Sequence, residues 1–277
     1  MQLSLSVRIV EAPCKTKLLV PLEPFLALAK EAGYDAICMR ASAAGVGTPV
    51  ERLREIRQQV QDSGLTISMV TADSDVPLNN DAGPQSLRQI DPSLDVAEAL
   101  GCDLIRVCLK KEEDVVAAQG AADLAAARGI RLAHQCHNSS LFEQVEPMLG
   151  VLARIDRPNF GLIYEPANLM ICGQSYGPDT IQRLGPYLFN AYVQNHRLDP
   201  EGPVMYNTYC RGPVRYHDLD PWEEGGVDLE EVFAGLKSAQ YDRFFTIHQA
   251  QGLRTVEEAS EFAVRCARLM RRWIPAI

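Results

Sequence analysis

Four times along this chain a helical stretch runs into a glycine and then into a short apolar run: EAGYDAI, DSGLTIS, ALGCDLI and ARGIRLA. Gly33, Gly64, Gly101 and Gly129 stand where a helix ends in the left-handed backbone region, which a residue without a Cβ enters at no steric cost. A phrase that repeats helix, glycine, strand is how consecutive βα units with parallel strands are written.

The rest of the chain continues the pattern. Runs rich in apolar and β-branched residues predict eight strands at Leu3–Ile9, Ala36–Arg40, Thr66–Thr71, Leu104–Leu109, Ile130–Gln135, Phe160–Glu165, Phe189–Gln194 and Phe244–His248. Helices fit between them. Val50, Leu53, Ile56 and Val60 trace one apolar stripe, and Val115, Val116, Ala122 and Leu124 lie on another helical stretch. Further helices are expected at 22–32, 85–100, 140–154, 178–184, 229–238 and 256–272. A length of 277 residues suits one large α/β barrel or two ordinary domains. Eight βα units and no Pro/Gly/Ser-rich linker favour the first, a closed (β/α)8 TIM barrel forming a single domain over 1–277, with an open doubly wound sheet as the alternative that pattern alone leaves.

Composition narrows the partners. The formal charge of −9 opposes the phosphate-neutralising surface that nucleic acids and anionic membranes require, so neither is an expected partner. No apolar run reaches the ~18 residues of a membrane span. The start, MQLSLSVRIVEAPCK, reads as a first strand rather than a signal peptide, which makes a cytoplasmic location the default expectation. Eight cysteines without a CxxC pair are expected to be small apolar fillers rather than a disulfide framework. The sequence leaves the oligomeric state open, a homo-oligomer included.

The chemistry concentrates in the second half. All five histidines lie between 134 and 248, and four of them stand where a short apolar run ends, in AHQCHN, VQNH and TIHQ. In a barrel the side chains at the carboxyl ends of the strands converge on one mouth. Alternation along a strand gives Gln135 and His137 a common direction, as it does Gln194 and His196, and turns His134 the other way into a structural role. Gln135, Glu165, Gln194 and His248 then become four inward groups from neighbouring strands, of types that ligate Mn²⁺, Zn²⁺ or Mg²⁺. Arg40 and Arg106 end or interrupt apolar runs, so both are candidates for a substrate carboxylate or phosphate, or for ion pairs inside the barrel. Asp73 and Asp75 in TADSDVP read as turn formers. The one long irregular segment, 197–228, is too long for a plain connection and is expected to be a lid, with Arg211, Arg215, His217 and Trp222 as its contact chemistry.

The endings LAHQCHN, GLIYEPANL, AYVQNHR and TIHQ, with GGVDLEEVFAGLK before the last strand, resemble the sugar isomerase/epimerase family that shares the xylose isomerase-type TIM barrel, over essentially the whole chain. In that family the fifth to eighth strands end in Glu, Asp, His and Glu around one divalent cation. The resemblance therefore implies Gln135, Glu165, Gln194 and His248 as the ligands here. Glu165 for Asp is a mild departure, and Gln at the seventh strand resembles relatives that dehydrate keto-cyclitols and dehydroshikimate. Gln135 and His248 replace the two glutamates that also move protons in the epimerases, and an amide is no general base. The resemblance implies an enzyme that enolises a sugar, keto-sugar or polyol through an enediolate; with the usual glutamates absent, a metal held by Glu165 and His248 would polarise the carbonyl and His137 or His196 would take or return the proton, which makes His137, His196 and Glu165 the catalytic candidates. A lyase that removes water beside a carbonyl, and a sugar-binding protein that has lost catalysis, are the two rivals.

Overall fold

In the computed structural model, which describes residues 1–276, eight parallel strands close into a barrel. They are β1 (Gln2–Ser6), β2 (Ala36–Arg40), β3 (Thr66–Thr71), β4 (Leu104–Val107), β5 (Arg131–Gln135), β6 (Phe160–Tyr164), β7 (Leu188–Val193) and β8 (Phe244–Ile247). Strands adjacent in sequence are adjacent in space, and β1 closes the ring on β8 from Gln2 opposite Phe244 to Leu5 opposite Ile247. The open-sheet alternative is thereby excluded. Gly33, Gly64, Gly101 and Gly129 all carry positive φ, 84°, 67°, 69° and 68°. At Gly101 a Cβ would also come within 2.8 Å of the Arg57 guanidinium, but that exposed side chain can swing aside, so it is the positive φ that calls for glycine there.

Helices pack around the strands, and their apolar stripes face inward. Helix Val50–Asp62 buries Leu53, Ile56 and Val60, although Val50, at its first position, faces water. In helix Asp114–Ala127 the buried side is Val115, Ala118, Ala121, Ala122 and Ala125, while Val116 and Leu124 are exposed. The helical stretch expected there is present, and apart from Val115 it is the alanines, not the larger residues, that approach the barrel. The helix expected at 85–100 is two, Gln85–Arg88 and Asp91–Leu100, with Pro92 in the first turn of the second. A proline at 92 cannot donate to the carbonyl of Arg88 and would clash with it, which breaks a continuous helix at that point.

Inside the barrel, Cys38, Met69, Leu104, Ala133, Ile163, Phe189 and Tyr192 form a packed plug beneath the mouth. All eight cysteines are free thiols, six of them buried. No helix among the described residues is long and apolar enough to cross a membrane.

Two connections depart from the sequence expectation, and both lie over the mouth. The first strand stops at Ser6, where the Ser6 hydroxyl accepts from the Arg8 amide and the chain turns into a short 3₁₀ helix, Val7–Val10. The segment 197–228 is not irregular. Together with Asn195 and His196 it carries a three-stranded antiparallel sheet of Asn195–Leu198, Val204–Thr208 and Gly212–Leu219, the last strand lying in the middle.

Candidate active site

The carboxyl ends of the strands surround a cavity of about 170 Å³. Four cations reach it, Arg8, Lys15, Arg40 and Arg106, together with the amides of Gln135, Asn138, Asn168 and Gln194 and the imidazoles of His137 and His248. Tyr206 from the antiparallel sheet contributes to the wall opposite the strands.

The cations are not equivalent. Arg40, at the end of β2, is buried and held in a fork by Glu11, its Nε donating to Oε1 at 3.0 Å and its Nη2 lying 2.9 Å from Oε2. Arg8 donates to the same carboxylate at 3.1 Å and Ser42 at 2.6 Å. Burial opposes ionisation of Glu11, but the Arg40 guanidinium prevails and holds its carboxyl below the usual range. Lys15 donates to the carbonyl of Pro77 at 2.8 Å, and burial, reinforced by Arg8, Arg40 and Arg106, pulls its pKa down to about 7. Arg106, projecting from β4, is only 6% exposed and has no ion-pair partner among the described residues, and its Nε finds no acceptor.

The neutral groups divide in the same way. His248 places Nδ1 3.1 Å from the Ser6 hydroxyl and Nε2 3.5 Å from Nη1 of Arg40, and its ring stacks on Tyr192 at 3.9 Å between centroids. Burial first, then Arg40, keeps this imidazole uncharged, well below its ordinary pKa. His137 places Nδ1 2.9 Å from the carbonyl of Asn138; that nitrogen must carry the proton, which leaves Nε2 as a free lone pair. Burial and then Arg106 keep His137 neutral as well. Glu165 is fully buried, accepts from Nε2 of Gln194 at 3.1 Å, and caps helix Pro166–Ile171 through the Ala167 amide. Its burial raises the pKa to about 7. Gln135 is buried with neither the oxygen nor the nitrogen of its amide hydrogen bonded.

These residues do not fit a divalent cation. Glu165 is the only carboxylate among the four expected ligands, and at neutral pH it is poised between charged and neutral. The Nε2 lone pair of His248 already faces the Arg40 guanidinium. Arg8, Lys15, Arg40 and Arg106 surround the same space, so a dication would enter a field of its own sign. The strand-end positions expected as metal ligands thus converge, but as a wall suited to polar and anionic groups. Three potential ligands, the buried Glu143 and Cys172 and the partly buried Cys210, do come together outside the mouth, with their ligand atoms within 4.8 Å of one another, and make a candidate metal-coordinating cluster. The Glu143 oxygens there already accept the amides of Ser139, Tyr209 and Cys210 at 2.5, 2.7 and 2.7 Å.

Other expected residues fall elsewhere. His196 shares no direction with Gln194, because β7 ends at Val193 and a new strand begins at Asn195, which resets the alternation. It is buried against Tyr216, with Nδ1 3.0 Å from Asp218, and does not reach the cavity. His217 pairs with Asp199 at 3.0 Å. Arg211 donates to the carbonyl of Ile171 at 3.2 Å, and Arg215 to that of Gly202 at 2.8 Å. Trp222 packs between Phe262 and the Arg265 guanidinium. None of these four, expected as the contact chemistry of a lid, lines the cavity. His134 stacks on Phe142 and is structural, as its direction implied. Asp73 accepts the Asp75 amide in a turn, also as expected. The residues the sequence did not signal are Arg8, Lys15, Asn138, Asn168 and Tyr206, all of them beyond a strand end or on a connection.

Comparison with known proteins agrees with the architecture. The profile of the xylose isomerase-like TIM barrel family matches residues 26–266. No curated protein sequence matches the chain. Among solved structures, the probable 3-DHS dehydratase AsbF of Bacillus anthracis superposes with a TM-score of 0.70 at 16% identity, covering 98% of each chain. The IOLI protein with a bound zinc atom gives 0.72 at 15%, over 99% of this chain and 100% of its own. A D-psicose 3-epimerase crystallised in the presence of D-fructose gives 0.70 at 14%, over 99% of both. At such identities the likeness is one of fold.

Proposed function

The chain belongs to the xylose isomerase-like TIM barrel family, and from that premise we propose that it takes a small sugar or polyol derivative into the barrel mouth and moves a proton beside a carbonyl, isomerising or epimerising it. The observation that carries this reading is His137, a neutral imidazole at the cavity whose Nε2 is left free because Nδ1 is committed to the Asn138 carbonyl. An uncharged imidazole nitrogen is in the protonation state a general base needs, and the burial that keeps His137 uncharged also makes it a weaker base than a solvated histidine. Negative charge that develops on the carbonyl oxygen as the proton leaves falls within a wall of guanidinium and ammonium groups, which do without a metal the stabilising that a cation does elsewhere. The amides of Gln135, Asn168 and Gln194 are suited to orienting hydroxyl groups. Glu165, behind Gln194, is the second group able to hold a proton near neutral pH.

The same acid favours one rival. A carboxylic acid still protonated near pH 7 is a proton source for a leaving hydroxyl, which turns enolisation into loss of water, provided that Gln194, which lines the cavity in front of Glu165, moves aside. Both readings are tested by incubating the protein with a panel of keto-sugars in D₂O, with a chelator present. Deuterium entering the carbon beside the carbonyl is the expected result, with a new ultraviolet absorption marking elimination. His137→Asn is expected to abolish the exchange. Absence of exchange with every substrate would leave a barrel that binds sugars without transforming them.

A further inference from the structure

We propose that the ligand of the mouth carries a permanent negative group, a carboxylate or a phosphate, seated on Arg106. This rests on the reading of the mouth as a small-molecule site and narrows its substrate to anionic sugars or polyols.

A guanidinium taken out of water is costly unless a counter-charge and hydrogen-bond acceptors replace the solvent. Arg40, equally buried, has Glu11, and Lys110 has Asp81 within 3.8 Å. Among the described residues, Arg106 alone of the buried cations has no carboxylate, although it lines an open cavity. The amide of Gln135, from the next strand, is orphaned at both atoms and faces the same space. Two buried polar side chains that no protein group satisfies point to an absent third partner. That partner must accept strongly from Arg106 and also offer hydroxyl or carbonyl groups to an amide.

Charge then selects among ligands. Four basic residues line the cavity, and Glu11 offsets one of them. In a chain of net charge −9, this concentration of positive charge runs against the composition of the whole. A neutral sugar would leave Arg106 uncompensated, and a divalent cation would add to the excess. An anion removes it, and the planar fork of an arginine matches a carboxylate or a phosphate in two parallel hydrogen bonds. Lys15, which lines the same cavity and feels the Arg106 charge, supplies a second donor.

The test is calorimetric titration of the full chain at slightly acidic pH with D-fructose, 2-keto-D-gluconate, D-fructose 6-phosphate and inorganic phosphate, for wild type and for Arg106→Gln. One of the anionic sugars is expected to bind at least ~30-fold more tightly than fructose, the loss typical of removing one partner from a buried charge pair, and the two sugars separate carboxylate from phosphate. Arg106→Gln is expected to erase that preference while the unliganded variant melts at a higher temperature than wild type, since an uncompensated charge has been removed. A merely structural arginine would melt lower when replaced. Equal binding of fructose and the anions, or a variant that keeps the preference, overturns the proposal and leaves the sugar reading intact. Failure to bind any of the four probes overturns it as well. Anion binding without deuterium exchange on any sugar supports it while removing the isomerase reading.

Discussion

Lys15 and Glu165 titrate in the same window from opposite sides. Burial lowers Lys15 from 10.5 to about 7 and raises Glu165 from 4.5 to about 7. As pH rises through neutrality the first loses a positive charge and the second gains a negative one, so both changes weaken the hold on an anion. The groups that face Lys15 are Arg8, Arg40, Arg106 and Glu11, none with an ordinary pKa near 7, and the imidazoles of His137 and His248, which burial holds neutral well below that window. Affinity for a non-titrating anion such as sulfate is therefore expected to fall between about pH 5.5 and about pH 8.5, with Lys15→Met removing one part of the slope and Glu165→Gln the other. A flat profile in wild type would show that neither group senses the ligand. Stability is linked with the opposite weighting. Glu165 binds its proton more tightly when folded, so its contribution is present below pH ~4.5 and lost as pH rises to ~7, whereas Lys15 binds its proton less tightly when folded and adds stability from pH ~7 upward. Gln135, Gln194, His248, Arg40 and Arg106 were legible at the mouth because strand alternation fixes direction. Arg8 and Lys15 were not, since one hydroxyl, that of Ser6, ends β1 three residues before the apolar run does. His196 was misread for the same reason in reverse, a strand that restarts at Asn195.

At the scale of elements, the antiparallel sheet is the part of the molecule on which access to the site depends. Its length in sequence announced a lid, but its strands did not announce themselves, because only one face of Val204–Thr208 and Gly212–Leu219 turns inward and the alternation it carries, Val204 and Tyr206 on one strand and Val214 and Tyr216 on the other, is short and for the most part only half-buried. The sheet is tied to the barrel through the turn at Tyr209 and Cys210, whose amides donate to Glu143, and through the Asn207 carbonyl, which accepts from Asn138 and Ser139. Glu143→Ala strands those amides at a cost of about 1–3 kcal/mol each where they remain buried. Hydrogen exchange across 204–219 is expected to accelerate in this variant while the barrel strands keep their protection, and KM is expected to rise with Tyr206 less well placed. Unchanged protection of the hairpin would show that packing, not the carboxylate, holds it. In wild type a bound anionic sugar is expected to slow exchange at 204–208, and equal protection with and without ligand would mark the sheet as a fixed wall rather than a lid.

The whole molecule is held as one unit by contacts between its two ends. β1 pairs with β8, the Tyr34 hydroxyl donates to the Ala263 carbonyl, and Asp35 accepts both the Leu3 amide at 2.7 Å and the Arg271 guanidinium of the last helical segment at 3.3 Å. The eightfold βα rhythm was readable in the sequence because each unit writes the same local rules, apolar strand, glycine stop and amphipathic helix. Closure into a ring was an inference from counting, since pairing residues 2–5 with 244–247 leaves no local mark. Such closure makes unfolding cooperative across the chain, because neither half can keep its edge strands paired alone. Both tryptophans lie in the last quarter, Trp222 against Phe262 and Trp273 stacked on Phe233 at 4.6 Å, so fluorescence reports the C-terminal layer and circular dichroism the whole barrel. The two melting curves are expected to coincide, and to stay where they are after exhaustive chelation, because no step of ring closure and no group at the mouth calls for a cation. Fluorescence melting ahead of circular dichroism would show the last helices detaching as a unit of their own, and a midpoint lowered by the chelator would assign a structural ion to Glu143, Cys172 and Cys210.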